Sequence, residues 1–219
     1  FFEERHLQQI NAAAGKHGYA VDFYPDGVLP RERAAEYEIV YGMPDRTALK
    51  DMKQLKWFCA SFAGVDRYLD EALYPHAGVL LSNSAGAYGV TIAEHIVMVT
   101  MMLLRQMLPI EAYVQRREWA PIMTMRSIFG SRITVLGTGD IGTTFARRAK
   151  GLGAKSVCGV RRSAKPADPA FDHVVTMEQL STVLPQTDIL VMALPATSQT
   201  AGVLNAERIA LLPSHAVVV

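Results

Sequence analysis

The chain of 219 residues is 50% hydrophobic and 20% charged, an ordinary globular composition with room for a sizeable core and no need of staples. Its formal net charge of +1 excludes the basic field that nucleic-acid binding needs, and nothing points to an acidic partner or a membrane surface. The two cysteines, Cys59 and Cys158, lie far apart and form no CxxC pair, so no metal site is expected, and buried thiols suit a reducing, cytoplasmic setting.

The first predicted element is a helix over residues 1–17, with Phe2, Leu7, Ile10 and Ala14 on one face and Gly18 as its stop. Short strands follow at 20–24 and 39–41, then Gly42 and Pro44, a helix over 45–55 and a strand over 57–60. A strand at 78–81 opens into a loop over 83–89. Strands separated by helices predict a parallel α/β layer.

A long helix is predicted over 90–115, kinked near Pro109. Its middle is apolar on every face, which predicts burial on several sides, between domains or between the subunits of a homodimer. The run from Ile96 to Leu104, broken only by Thr100, is too short to span a bilayer, and no leader sequence is visible. Residues 118–131, with Trp119, Pro121 and Gly130, read as an irregular connection.

A second α/β run begins at Arg132, with strands at 132–136, 156–160, 173–175 and 188–193 and helices between them. Thr176 and Gln179 have capping-box spacing, Asn205 caps a further helix and Pro213 stops it. Residues 216–219 begin one more buried strand. The expected division is 1–89, an incomplete substrate-binding domain, and 90–219, a nucleotide-binding domain that includes the linking helix 90–115 and is incomplete at its C-terminus.

The strand Ile133-Thr134-Val135-Leu136 runs directly into Gly137-Thr138-Gly139-Asp140-Ile141-Gly142, and a helix follows through Phe145, Ala146 and Ala149. This is the fingerprint of a dinucleotide-binding turn. Gly137 permits the tight turn, Gly139 lets a pyrophosphate approach the backbone, and Gly142 lets helix and strand pack closely. Free N–H groups and the helix dipole then favour the phosphates.

The next strand ends at Arg161-Arg162-Ser163. Sites that prefer NAD place a carboxylate at this strand end for the ribose hydroxyls. Two guanidiniums and a hydroxyl would instead grip a 2′-phosphate, so NADP (as NADPH) is the expected cofactor and NAD the lesser alternative.

Four ordered segments carry a family resemblance: Ser61-Phe62-Ala63-Gly64-Val65-Asp66; Asn83-Ser84-Ala85-Gly86 with Ala93-Glu94-His95; the GTGDIG turn; and Leu194-Pro195 with Thr200. With these the sequence resembles the D-isomer-specific 2-hydroxyacid dehydrogenases, most nearly the NADP-preferring glyoxylate/hydroxypyruvate reductases. The resemblance implies two α/β domains, a Rossmann-type parallel-sheet cofactor domain and a smaller flavodoxin-like substrate domain, with a cleft between them. It implies reduction of a small 2-oxo acid to the 2-hydroxy acid. Ala63 and Gly64 would offer backbone N–H groups to the substrate carboxylate. Asp140 and Ile141 would line the pyrophosphate, Leu194, Pro195 and Thr200 would border the adenosine end, and Thr91 would lie near the nicotinamide half.

Such a reduction needs a hydride from the cofactor, a cation on the carbonyl and an acid for the forming alkoxide. The family's Arg, Glu and His for these tasks are expected beyond residue 219, and an opening strand is expected before residue 1, so no catalytic residue is assigned within this chain. His95 falls in the AEH segment, a structural helix in the family, and His215 reads as a loop residue before the last strand. The alternative is a non-catalytic NADP(H)-binding relative that keeps the glycine turn and lacks the acid and cation.

Overall fold

The computed structural model describes residues 2–119, 121, 124–163 and 168–219. Part of the connection expected over 118–131, residues 120, 122 and 123, lies outside the described residues. The chain divides into two compact units, Phe1–Ser84 and Ala85–Val219.

In the first unit, helix α1 (Glu4–Gly15) precedes a three-stranded parallel sheet of order β1 (Ile39–Gly42), β2 (Trp57–Ala60) and β3 (Leu80–Ser82). Strand β2 alternates outward and inward residues, so Phe58 and Ala60 enter the core beside Leu49, Met52, Leu55 and Tyr68. Phe58 and Tyr68 pack ring on ring at 5.0 Å, and the Tyr68 hydroxyl donates to the Pro44 carbonyl at 3.0 Å. On the outward face Trp57 donates from Nε1 to the Ser82 hydroxyl at 2.8 Å.

Two expectations fail in this unit. The helix expected over 45–55 is only α2 (Arg46–Leu49), capped by the Asp45 carboxylate, which accepts from the Thr47 amide at 2.7 Å. Beyond it the amides bond three residues back, Asp51 to Ala48, Met52 to Leu49 and Leu55 to Met52. This tighter winding still buries Leu49, Met52 and Leu55 completely. Residues 20–24 form no strand. A strand needs a partner for its backbone groups, and β1 pairs only with β2 among the described residues. Side chains hold the segment instead. Asp22 accepts from the Tyr37 hydroxyl at 2.7 Å and from Arg33 at 2.8 Å, and the Tyr24 and Tyr37 hydroxyls meet at 2.5 Å.

The second unit opens with α3 (Gly89–Leu104) and α4 (Met107–Gln115). Then come β4 (Arg132–Leu136), α5 (Asp140–Gly151), β5 (Ser156–Arg161), β6 (His173–Thr176), α6 (Leu180–Val183), β7 (Ile189–Met192), α7 (Ala206–Ala210) and β8 (Val217–Val218). All five strands run parallel in the order β6-β5-β4-β7-β8. Both faces are covered, as a parallel sheet requires. Ile133, Val135, Val157, Ile189 and Val191 pack beneath Ala93 and Ile96 of α3 and Phe145, Ala146 and Ala149 of α5. Leu136, Cys158, Val160 and Leu190 pack on the other side against Leu180, Leu184 and Val203. Each fully buried Leu, Ile or Phe contributes about 1.5–3 kcal/mol. Thr176 and Gln179 form the expected capping box, and Asn205 caps α7 by accepting from the Arg208 amide at 3.0 Å.

The helix expected over 90–115 is two helices bent by 67°. The break lies at Arg105 and Gln106, where Gln106 takes a left-handed φ of 54°. Pro109 is the third residue of α4, inside the first turn, where its missing N–H removes no helical bond. Burial is also one-sided. Gly89, Ala93, Ile96, Thr100 and Leu104 face the unit's core, while Val90, Met98, Met101, Met102 and Leu103 are exposed. Among the described residues no single helix is long and apolar enough to cross a membrane.

Asp188 ties the opposite, N-terminal end of the sheet together. It accepts from the Arg132 amide at 2.8 Å, from Arg132 Nε at 3.1 Å and from Nη2 at 3.2 Å, and it meets His215 Nε2 at 2.9 Å. Burial pushes this carboxyl up, but the bonds from Arg132 and His215 outweigh it and hold the group well below the usual carboxylate range.

Candidate functional site

Strands β4 and β5 progress to one side of the sheet and β7 begins the other, so the order reverses between β4 and β7. In open parallel sheets the crevice at such a reversal, at the carboxyl ends of the strands, is where ligands bind. Gly137 to Gly142 lie there, joining β4 to α5.

The three glycines of this turn answer to different neighbours. Gly137 has φ +100°, and a Cβ on it would lie 2.4 Å from the Ala193 carbonyl oxygen and 3.3 Å from the Leu194 amide nitrogen. Its own amide donates to the Val160 carbonyl at 2.8 Å. A Cβ on Gly142 would lie 2.0 Å from the Gly137 carbonyl oxygen and 3.1 Å from Val135. Helix α5 therefore sits on its turn as closely as two backbones allow. Gly139 is the contrast. It has φ −80°, and a Cβ there would meet no atom of the described residues within 4 Å. Neither its backbone angle nor its packing within the chain requires glycine. It caps α5 beside the N–H groups of the helix start, a setting that favours an anion. Asp140 and Ile141 open that helix, Asp140 exposed and Ile141 half-buried.

Arg161 ends β5 in register with Thr176 of β6. Arg162 and Ser163 follow it at the surface. Arg162 donates from Nη1 to Gln199 Oε1 at 3.4 Å, so the basic strand end lies beside the loop after β7. That loop carries Leu194, Pro195 and Thr200. The Thr200 hydroxyl donates to the Pro195 carbonyl at 2.5 Å and accepts from the Thr197 amide at 2.9 Å. Thr200 therefore shapes the loop with its side chain. Thr91 lies exposed in the first turn of α3, its hydroxyl 3.3 Å from the Tyr88 carbonyl. Gly137, Arg162, Leu194, Pro195 and Thr200 are thus brought to one edge of one sheet.

Ala63 and Gly64 belong to the other unit, in an exposed turn after β2. Asn83 Nδ2 donates to the Ala63 carbonyl at 2.7 Å, and Ser84 is held twice, its amide to Phe62 at 3.1 Å and its hydroxyl to Ala60 at 3.0 Å. The Asn83-Ser84 pair thus fixes the turn. Sequence reasoning noted the pair without giving it this task, although its place at the end of a parallel strand was a usable signal.

His215 is committed to Asp188 at the far end of the sheet. His95 is exposed on α3. Among the described residues no group of three His, Cys, Asp or Glu side chains could hold a metal ion. Cys158 is buried, and burial pushes its thiol up to about 11, so it is inert at neutral pH.

Residues 97–219 match the family described as D-isomer specific 2-hydroxyacid dehydrogenase, NAD binding domain. The chain is 25% identical over 209 residues to a glycerate dehydrogenase of Methylorubrum extorquens, covering 92% of this chain and 63% of that enzyme. In structure it is similar to a D-isomer specific 2-hydroxyacid dehydrogenase family protein from Aeromonas salmonicida, with TM-score 0.76, 27% identity, 96% of this chain and 69% of that one. It is also similar to an NADPH-dependent glyoxylate/hydroxypyruvate reductase from Sinorhizobium meliloti solved with NADP and sulfate. There the TM-score is 0.67 and the identity 27%, over 80% of this chain and 53% of that one.

Proposed function

This chain belongs to the D-isomer-specific 2-hydroxyacid dehydrogenases, and on that premise we propose that it serves an NADP-dependent reductase of a small 2-oxo acid of the glyoxylate or hydroxypyruvate class. The observation that carries the cofactor part is Gly139, a glycine that nothing among the described residues requires, set at a helix N-terminus at the sheet's switch point. A pyrophosphate on that backbone is the reason for it.

In this reading Gly137, Gly139, Asp140, Ile141 and Gly142 seat the pyrophosphate through their backbone. Arg161, Arg162 and Ser163 hold the 2′-phosphate, and the absence of a carboxylate at that strand end removes the group that would repel it. Leu194, Pro195 and the loop closed by Thr200 border the adenosine side, and Thr91 borders the nicotinamide half. Ala63 and Gly64 hold the substrate carboxylate with backbone N–H groups. When bound, the cofactor supplies the hydride. This chain's residues bind and orient, and the cation and acid of the reaction are assigned to none of them.

A second copy of the chain is the partner proposed for the exposed apolar side of α3. The activity is tested by following NADPH oxidation by the full-length protein with a panel of 2-oxo acids. Turnover with glyoxylate or hydroxypyruvate is expected. Tight NADPH binding with no turnover on any of them would replace the reductase by a non-catalytic binding protein.

A further inference from the structure

Gly89 and Asp140 lie far apart in sequence and touch in space. Gly89 is the first residue of α3 and Asp140 the first of α5. A Cβ on Gly89 would stand 2.4 Å from both Asp140 carboxylate oxygens and 2.5 Å from its Cγ. The carboxylate therefore lies flat against the Gly89 backbone, in the space a side chain would fill. Gly89 is buried and helical and has no left-handed φ. What the missing side chain provides here is a niche for Asp140.

The chemistry of the turn makes this niche consequential. Asp140 follows Gly139 directly, so its charge stands at the edge of the surface where a pyrophosphate would lie. Unit charges of like sign a few ångströms apart repel by about 1 kcal/mol even in bulk water, and by more near a protein surface. Turned against Gly89, the carboxylate instead sits at the N-terminus of α3, whose dipole favours an anion. A polar link between the two helices, Arg148 to Glu94 at 3.2 Å, lies further along both.

We propose that Gly89 is a determinant of cofactor affinity that acts through Asp140: its missing side chain holds the Asp140 carboxylate off the phosphate turn, and Asp140 is a positioning residue that joins the start of α3 to that turn. The inference rests on the dinucleotide reading above. Gly89→Ala drives the carboxylate out of the niche toward the phosphates.

The test is a double-mutant cycle on the full-length protein, read as NADPH dissociation constants at low and high salt, with thermal melting to confirm folding. Gly89→Ala is expected to weaken NADPH binding about tenfold at low salt, with most of the loss recovered at about 1 M salt, where the screening length is a few ångströms. In the Asp140→Ala background the same substitution is expected to cost at least fivefold less. Should Gly89→Ala fail to fold, Asp140→Glu and Asp140→Gln replace it. Both are too long for the niche, and only the charged one is expected to weaken binding in a salt-sensitive way. Equal losses in the two backgrounds, or a loss indifferent to salt, would overturn the inference while leaving the dinucleotide reading intact. Failure of the unmutated protein to bind any nicotinamide dinucleotide would overturn both.

Discussion

Arg162 reaches Gln199 across the carboxyl edge of the second sheet, Nη1 to Oε1 at 3.4 Å, and so joins the end of β5 to the loop that follows β7. An exposed contact of this length is weak and readily exchanged for a stronger acceptor. A 2′-phosphate placed there would gain charge-assisted bonds of about 1.5–3 kcal/mol each. NADPH is therefore expected to bind about tenfold to a hundredfold more tightly than NADH. Replacing Arg161 and Arg162 together with Ala should erase most of that difference. Fluorescence titration with both cofactors measures it, and equal affinities in the unmutated protein would sink the NADP assignment.

Gly139→Ala and Gly142→Ala should separate binding from folding. The first introduces a Cβ that meets nothing in the chain, so the melting temperature should hold while NADPH affinity falls by about tenfold or more. The second forces a Cβ to within 2.0 Å of the Gly137 carbonyl oxygen. Helix and turn must part, at a cost of about 1–3 kcal/mol. Unchanged cofactor affinity in Gly139→Ala would remove the pyrophosphate from this turn.

Asp188 predicts a stability profile in acid. Its folded carboxyl titrates below the unfolded value of about 3.9, so the Arg132 and His215 contacts stabilise fully above that pH. Their contribution is lost as the pH falls through the unfolded value toward the folded one. Asp188→Asn should cost about 1–3 kcal/mol near neutrality and flatten the dependence of melting temperature on pH below about 4. Parallel melting curves for the two proteins would remove Asp188 from the acid response.

A second copy seated on α3 is testable through Met98 and Met101, which are 48% and 39% exposed. Met98→Glu with Met101→Glu would bury two unpaired charges in such an interface, which is strongly unfavourable. Sedimentation should show a dimer for the unmutated protein and a monomer for the double variant. A monomeric unmutated protein would leave this face without a second copy.

The second unit was the more legible in sequence. Strands β4 and β5 are apolar runs bounded by Gly or Arg, and both sheet faces are buried, so length and flanks were enough to locate them. The break at Gln106 was not legible, because one left-handed residue carries no mark in the sequence, while Pro109 gave a false one. Residues 20–24 carry a strand's pattern, but pairing is a property of neighbours and not of the segment. At the site, the glycine turn and the Arg161-Arg162-Ser163 end could be read from local spacing. The Gly89–Asp140 contact could not, since only the packing of α3 on α5 brings the two residues together.

The two tryptophans fall one to each unit. Trp57 is hydrogen-bonded to Ser82 across two adjoining strands, while Trp119 is 96% exposed. An indole already in water hardly changes its emission when its surroundings unfold. The tryptophan emission of the native chain therefore reports chiefly on the first sheet, and Trp119→Phe would leave Trp57 as its single source. Followed beside the circular dichroism of the whole chain, it shows whether the two units melt as one cooperative body or in turn.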